Sequence, residues 1–457
     1  MVNASKHPNI TLLTYSEIVE FGGITGDYNV KIRKNPRYVD ESKCTGCGLC
    51  TTKCPIKVPN EFDRGIGERS AIYIPFPQAV PKYAVMDKSV CINCKNCERA
   101  CLAEAVDFDQ EPEYLNIKVG AVIVATGYDE YPIMETNEFN YGIFPNVITQ
   151  IELERMLSPI GPTGGHVYRI SDGMMAKSVV MIQCVGSRSL KANPYCSGVC
   201  CNVALKNAQI LKQEFPDMDI SIFYIDIRST DKGNEEYYRK IREIDIKMIR
   251  GKVGEILEDS EHNLKIRAYS SLTGEIVNMT TDLVVLSTGM VPSKGTMEVI
   301  EIMGLAKGPN GFLTEVHGCL KPQETKNTGI YICGCAAGPK NIPYSVSTAL
   351  GAASKASTLL SHDTLRQELI IAEVNESFCM GCHRCEKVCD YGAISVTEEG
   401  IAAVDELKCK GCGACVTSCP ARAVDLVYYR DKQFEEEIKG IGIPIESLKE
   451  SKELVGN

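Results

Sequence analysis

Apolar residues in this chain come in short runs broken by Gly, Pro and polar turns. ITLLTYSEIVEF, from Ile10, and YNVKIRK, from Tyr28, are β-rich and flank GGITGD, whose glycines favour a turn, so residues 8–34 read as a strand pair. VGAVIVATGYDE is a buried-strand run ending in Ala125-Thr126-Gly127, and DLVVLSTGMVPS repeats the idea with Ser287-Thr288-Gly289. Two such strands predict two nucleotide-type lobes. Between them lie KSVVMIQCVGSR, an apolar run meeting a Gly turn, and CCNVALKNAQILKQEF, with helical apolar spacing that stops before Pro216. ISIFYIDIR, Ile220 to Arg228, is the next strand, and strands alternating with helices predict a parallel α/β lobe. GIYICGCAAGPKNIPYSVSTALGAASKASTLL then gives strand, Gly turn and a small-residue helix from about Tyr344. Residues 431–457 are charged, lack aromatic anchors after Phe434, and read as a helix or tail with no core of its own.

The cysteines change this picture from a plain α/β protein to a metalloprotein. There are 23 in 457 residues, bunched and not scattered. Tight C-x-x-C runs in a large chain with no signal-peptide layout point to thiolate ligation in a reducing compartment and away from disulfides. Four motifs follow C-x2-C-x2-C-x3-C: Cys44, Cys47, Cys50 and Cys54; Cys91, Cys94, Cys97 and Cys101; Cys379, Cys382, Cys385 and Cys389; Cys409, Cys412, Cys415 and Cys419. In bacterial ferredoxins this spacing wraps three thiolates round one cubane and sends the fourth to the neighbouring cluster. The expected sets are therefore Cys44/Cys47/Cys50 with Cys101, Cys91/Cys94/Cys97 with Cys54, Cys379/Cys382/Cys385 with Cys419, and Cys409/Cys412/Cys415 with Cys389. LAEAVDF, DYGAISV and PARAVDLV follow three of the fourth cysteines and each turns into a short strand, an internal repeat; after Cys54 the chain instead enters a loop of 36 residues, an insertion over that lobe. Zinc also takes four thiolates, but usually as two separated pairs.

Cys184, Cys196, Cys200 and Cys201 fall outside these blocks. With a strand end before them and a helix start after them, they are candidates for a fifth [4Fe–4S] cluster, the helix N-terminus offsetting its negative charge. Lys206 lies on the same predicted helix, where a cation can bias a nearby redox cofactor. Cys319, Cys333 and Cys335 cannot complete another four-thiolate set, and Cys319 reads as structural. Lys+Arg of 49 against Asp+Glu of 59, a formal −10, argues against nucleic acid or anionic lipid as partner. No apolar run reaches membrane-spanning length, so a cytoplasmic location is expected.

CTGCGLCTTKCP, VPNEFDRGIGERSAIYIPFPQAVP, GPTGGH, IQCVGSR, NPYCSGVCC, FYIDIR and GCAAGPKNIP together give the chain a close resemblance to the A subunit of heterodisulfide reductase, the iron–sulfur flavoprotein of methanogens and related anaerobes. The resemblance implies an α/β, thioredoxin-reductase-like two-lobed nucleotide-binding fold with an inserted and a C-terminal 2×[4Fe–4S] ferredoxin-like α+β domain. The implied division is 1–35 partial FAD lobe, 36–110 inserted ferredoxin domain, 111–175 FAD lobe continued, 176–290 second lobe with the extra cluster, 291–365 FAD lobe C-terminal part, 366–430 C-terminal ferredoxin domain and 431–457 tail. It implies FAD-based electron bifurcation between a hydrogenase or formate dehydrogenase partner, ferredoxin and the subunits that reduce the disulfide of coenzymes M and B, with no disulfide-attacking cysteine on this chain. It also implies that Lys206 and Glu154 lie near the isoalloxazine ring. The chain departs from the family in lacking G-x-G-x-x-G, the pyrophosphate-binding turn. What remains for FAD is Ala125, Thr126 and Gly127 with Gly334, Cys335 and Ala336, Cys335 standing where a related reductase usually has Asp, so that ribityl contacts would fall to backbone N–H groups. A split gene with a separate chain supplying the other half, a misassigned start and a degenerate fragment all fit this departure. A flavin-free relay subunit of another anaerobic redox complex and a zinc-stabilised scaffold are the alternative readings.

Overall fold

The computed structural model describes residues 2–136, 138–364 and 370–441. Strands β1 (Ser16–Ile24), β2 (Asp27–Lys34) and β3 (Glu113–Val119) form an antiparallel sheet in the order β1-β2-β3. Residues 10–15, read from sequence as part of the first strand, lie outside it: the register starts at Ser16↔Lys34. Lys34 also pairs with Glu113, so the whole first ferredoxin block is a loop between two neighbouring strands. An insertion at a hairpin leaves the parent sheet intact, because both ends of the insert are already held side by side.

After β3 the chain enters β4 (Val122–Val124). The second lobe then begins earlier than residue 176. Strand β5 (Val147–Thr149) and helix α1 (Gln150–Leu157), expected within the FAD lobe, belong to the second lobe's sheet, since β5 pairs in parallel with a strand of that lobe. The chain continues through β6 (Ser178–Val185), α2 (Cys200–Glu214), β7 (Asp219–Tyr224), α3 (Asn234–Arg242), β8 (Lys247–Glu258), β9 (Leu264–Ser270), β10 (Ile276–Thr281) and β11 (Leu283–Thr288). The seven-stranded order is β5-β11-β6-β7-β8-β9-β10, parallel from β5 to β8 and antiparallel beyond. β6 and β11 are almost continuously apolar because helices cover one face and the β9–β10 ribbon, with Ile133, Phe139, Tyr141 and Phe144, helps close the other.

The FAD-type lobe is smaller than the sequence pattern implies. Its parallel part is β4 paired with β12 (Ile330–Ile332), backed by α4 (Ile342–Leu360). β12's other side is closed by residues 323–325, whereas among the described residues β4 has no strand on its other edge. The two lobes are joined by the antiparallel pair Tyr128–Glu130 with Met290–Pro292. In the C-terminal ferredoxin module, Ala372–Val374 pairs with Val424–Leu426 and Ile394–Val396 with Ala402–Val404. The repeat read from sequence thus becomes a two-fold arrangement of strands. The helix of the tail spans Asp431–Ile441, and residues 442–457 lie outside the described residues.

Candidate iron–sulfur and flavin sites

Each C-x2-C-x2-C loop is built the same way. The second and fourth residues after the first cysteine have positive φ: Gly46 (66°) and Gly48 (78°), Asn93 (55°) and Lys95 (60°), Gly381 (62°) and His383 (58°), Gly411 (59°) and Gly413 (78°). Repeated left-handed residues curl the backbone so that its N–H groups gather on the concave side, the geometry that receives an anionic group. In three of the four loops the first of these two positions is a glycine that is also required by space. A Cβ on Gly46 would lie 2.2 Å from the Lys82 carbonyl oxygen, on Gly381 2.4 Å from that of Gly400, and on Gly411 2.3 Å from that of Ile370. The third cysteine then falls on a short helix and is buried, as Cys50, Cys97, Cys385 and Cys415 are.

In the first module the sulfurs of the two motifs lie close to one another. Burial pushes the Cys50 thiol up to about 11, and the thiolates of Cys44, Cys101 and Cys47 add to the shift. Burial likewise raises Cys97, with Cys91 and Cys54 beside it. In the C-terminal module Cys415, pushed up to about 11 chiefly by burial, neighbours Cys409 and Cys412, and Cys385, also raised by burial, neighbours Cys382 and Cys379. The internal repeat has a chemical purpose there. The alanine four residues past the fourth cysteine donates its N–H to that cysteine's sulfur, Ala105 to Cys101 (3.4 Å), Ala393 to Cys389 (3.2 Å) and Ala423 to Cys419 (3.3 Å). All three alanines are buried, and N–H···S bonds of this kind help set cluster potentials. The sequence signal for them was the recurring Cys-x3-Ala. The left-handed Asn93, Lys95 and His383 left no such signal, because none is glycine.

Cys184, Cys196, Cys200 and Cys201 also come together. Cys184 ends β6 at φ 64°, a left-handed conformation uncommon for a non-glycine residue, while Cys200 and Cys201 open α2 and are buried. Burial and the thiolates of Cys201, Cys184 and Cys196 push Cys200 up to about 12. The loop carrying Cys196 is pinned by Tyr195 Oη donating to the Met290 carbonyl (2.9 Å), by the Met290 N–H to Ser197 Oγ (2.9 Å) and by Asn193 Nδ2 to the Gly186 carbonyl (2.8 Å). Gly186 must be glycine: a Cβ would sit 2.2 Å from the Tyr131 ring. In a dinucleotide-binding unit, the turn between the first strand and its helix holds the pyrophosphate; here the corresponding turn, between β6 and α2, holds four thiols. Among the described residues no three His, Cys, Asp or Glu side chains converge closely enough for a single metal ion. Four thiols spaced C-x2-C-x2-C-x3-C are the donor pattern of ferredoxin cubanes, whereas structural zinc usually takes two separated pairs.

Lys206 on α2 and Glu154 on α1 form an ion pair, each partly exposed. Thr126, Gly127 and Cys335 follow the C-terminal ends of the parallel pair β4 and β12, where open α/β sheets receive ligands, and Gly127 (φ 77°) borders open space. Ala125 immediately precedes them. Gly334 gives its N–H to Thr348 Oγ1 (3.0 Å), and Ala336 packs into the core. Cys319 is exposed and Cys333 buried.

The 36-residue insertion, read from sequence as a cover over that ferredoxin lobe, also contacts the body of the protein. Arg155 on α1 pairs with Asp63 (2.8 Å), and Arg64 pairs with Glu130, joining the inserted module to the second lobe. Arg69 binds Glu61 and Asp87 and lies 4.1 Å from the Tyr73 ring centre, contacts that hold the insertion together internally. Between module and lobe is a cleft of about 730 Å³ lined by Arg64, Arg69, Glu130, Tyr141 and Glu152.

These features define an iron–sulfur α/β redox protein with one ferredoxin-type module inserted in a hairpin and another at the C-terminal end. Known protein families agree: residues 372–426 match the family of 4Fe-4S dicluster domains, and residues 37–59 and 88–104 match 4Fe-4S binding domains. The chain is 49% identical over 447 residues to the iron-sulfur A subunit of the CoB–CoM heterodisulfide reductase of Methanocaldococcus jannaschii, covering 96% of this chain and 68% of that protein. It is 49% identical to the A subunit of the H(2)/formate:CoB-CoM heterodisulfide,ferredoxin reductase of Methanococcus maripaludis with the same coverages. It is 47% identical to the A subunit of the H(2):CoB-CoM heterodisulfide,ferredoxin reductase of Methanothermobacter thermautotrophicus, covering 88% of this chain and 61% of that one. This chain belongs to the family of heterodisulfide reductase A subunits. Among solved structures, the thioredoxin reductases of T. acidophilum (TM-score 0.34, 17% identity, 55% of this chain and 68% of that one) and Lactococcus lactis (TM-score 0.35, 15% identity, 64% and 84%) are partial matches. No helix among the described residues is long and apolar enough to cross a membrane.

Proposed function

We propose that this chain is the electron-distributing subunit of a cytoplasmic heterodisulfide reductase complex. In this reading it carries five [4Fe–4S] clusters and an FAD, receives electrons from a hydrogenase or formate dehydrogenase partner, and delivers them to ferredoxin and to the subunits that reduce the disulfide of coenzymes M and B. The observation that carries it is the gathering of cysteines into ferredoxin-type sets on both sides of a nucleotide-type lobe whose own turn holds a further set. Bound flavin would supply a centre that exchanges electrons in pairs or singly, and cubanes exchange them one at a time. Toward the flavin, the chain offers Lys206, a cation that favours electron-rich forms of a nearby ring, and Glu154, which holds the ammonium in place. Toward the ribityl and phosphate portion it offers Thr126, Gly127 and Cys335.

The open edge of β4 is where the remaining half of the FAD lobe would join. The N–H of Val122 and the carbonyl of Val124 are engaged on the β12 side, so Ile123 directs its backbone groups to the free edge. A third parallel strand, from a longer form of this chain or a separate polypeptide carrying G-x-G-x-x-G, would satisfy them. The same open edge favours the competing reading, a flavin-free relay.

Anaerobic purification should give roughly 20 iron and 20 sulfide per chain, five clusters of four; bound zinc in their place would end the proposal. Cys200→Ala should lose about one cluster's worth of iron, about 4 atoms. FAD retained when the G-x-G-x-x-G segment is co-expressed supports the bifurcating role, and its absence decides for the relay.

A further inference from the structure

Two segments stand beside the fifth cysteine set without supplying a ligand beyond Cys184: the end of IQCVGSR and the end of FYIDIR. β6 and β7 are parallel neighbours, so their C-terminal ends lie side by side. At the end of β6 and just beyond it, φ is positive at Cys184 (64°), Gly186 (70°) and Arg188 (56°), which turns the chain back beside the cysteines. Past β7, the Asp226 carbonyl oxygen lies 3.9 Å from Cys201 Sγ. The Arg188 guanidinium spans these two ends. Both of its terminal nitrogens engage the Asp226 carboxylate, with Nη2 to Oδ2 at 3.1 Å, and Arg228 Nε lies 3.6 Å from the same carboxylate. The Arg188 N–H is bonded to the Tyr195 carbonyl (3.0 Å), next to Cys196, so both ends of the residue are fixed. Its side chain is 18% exposed, which leaves its charge less screened than an ordinary surface arginine's. Two guanidinium groups against one carboxylate leave a net positive charge beside four thiolate ligands.

We propose that Arg188, clamped by Asp226, sets the reduction potential of the cluster on Cys184, Cys196, Cys200 and Cys201, holding it higher than four buried thiolates alone would allow. The inference rests on reading these four cysteines as cluster ligands. Reduction adds one electron to the cluster and neither makes nor breaks a bond, so its charge becomes more negative by one. A fixed cation at the rim favours that state, and nearby charge is one of the known levers on cluster potential. Arg188 acts through the ligand sphere and is a positioning and tuning residue.

The test is a dithionite titration of the anaerobically purified full chain followed by EPR. The signal of this cluster is identified as the one that Cys200→Ala removes. Arg188→Gln should keep the full iron content and shift the reduced-to-oxidised ratio of that signal about tenfold toward oxidised at fixed poise, which is about 59 mV for a one-electron couple. Arg188→Lys should recover most of the shift. Asp226→Asn, which removes the neutralising carboxylate, should move the ratio the other way, and it serves as the measurement if Arg188→Gln does not fold. An unmoved ratio in Arg188→Gln with iron intact, equal shifts in Gln and Lys, or the same direction in Asp226→Asn would overturn the assignment. If Cys200→Ala loses no iron, the cluster itself is absent, and the iron count separates that failure from a failure of Arg188.

Discussion

Single residues decide whether the cluster loops close. Gly46 and Gly48 share a left-handed backbone, but only Gly46 is pressed against another chain segment, so the two should respond differently. Gly46→Ala must displace the Lys82 backbone and should cost the inserted module about one cluster's iron, whereas Gly48→Ala, whose nearest neighbour is Thr51 Oγ1 at 3.4 Å, should retain it; iron per chain measures both. Glu152 is the other residue-scale case. It closes the capping box of α1 through the Thr149 N–H and accepts from Tyr141 Oη (2.8 Å), and burial raises its carboxyl above the ordinary range. With the folded pKa above the unfolded one, its contribution to stability is full below the unfolded value and is lost as pH rises through the folded one. Glu152→Gln, able to accept from Thr149 while donating to Tyr141, should raise the thermal midpoint near neutral pH and flatten its decline from pH 5 to 8, which scanning calorimetry on the anaerobic protein can follow.

At the scale of elements, the insertion between Cys54 and Cys91 converts a ferredoxin module into a fixed part of the body. Arg155 and Asp63 are both mostly buried, and hydrogen bonds between charged groups there contribute roughly 1.5–3 kcal/mol. Arg155→Ala should therefore loosen the docking of residues 58–69 without dissolving the module, whose own core includes Ile72 and Met86. Amide exchange in 58–69 should accelerate while that of the module core stays slow. Unchanged exchange would mean that the insertion is held by its own module alone.

Across the molecule, the two ferredoxin modules are attached differently. The inserted one is tied at both ends to β2 and β3, and the C-terminal one meets the body through contacts such as Lys326 with Asp390 (2.7 Å) and Lys410 Nζ with Thr328 Oγ1 (2.5 Å), all partly or largely exposed. Exposed ion pairs are worth about 0–1 kcal/mol and weaken with salt. Raising ionic strength should increase amide exchange at residues 326–330 and enlarge the scattering radius, while the inserted module's contacts hold.

The ligand chemistry was legible in the amino-acid sequence alone. Four cysteines within eleven residues mark a 4Fe-4S domain, because a cluster-binding motif is local and its spacing is written in the chain. The α/β character of the middle lobe and its order of strand, cysteine turn and helix were legible for the same reason: periodicity and turn residues act over short range. Whatever depends on distant residues meeting was settled by folding in three dimensions. Nothing local marks β5 and α1 as part of the second lobe's sheet, since β5 is three residues long and takes its place through pairing with β11. No motif joins Lys206 to Glu154, Arg155 to Asp63, or Arg188 to Asp226, pairs separated by 52, 92 and 38 positions. The parallel pairing of β4 with β12 is likewise a tertiary fact, because which strand lies beside another is settled in space and not by its own residues.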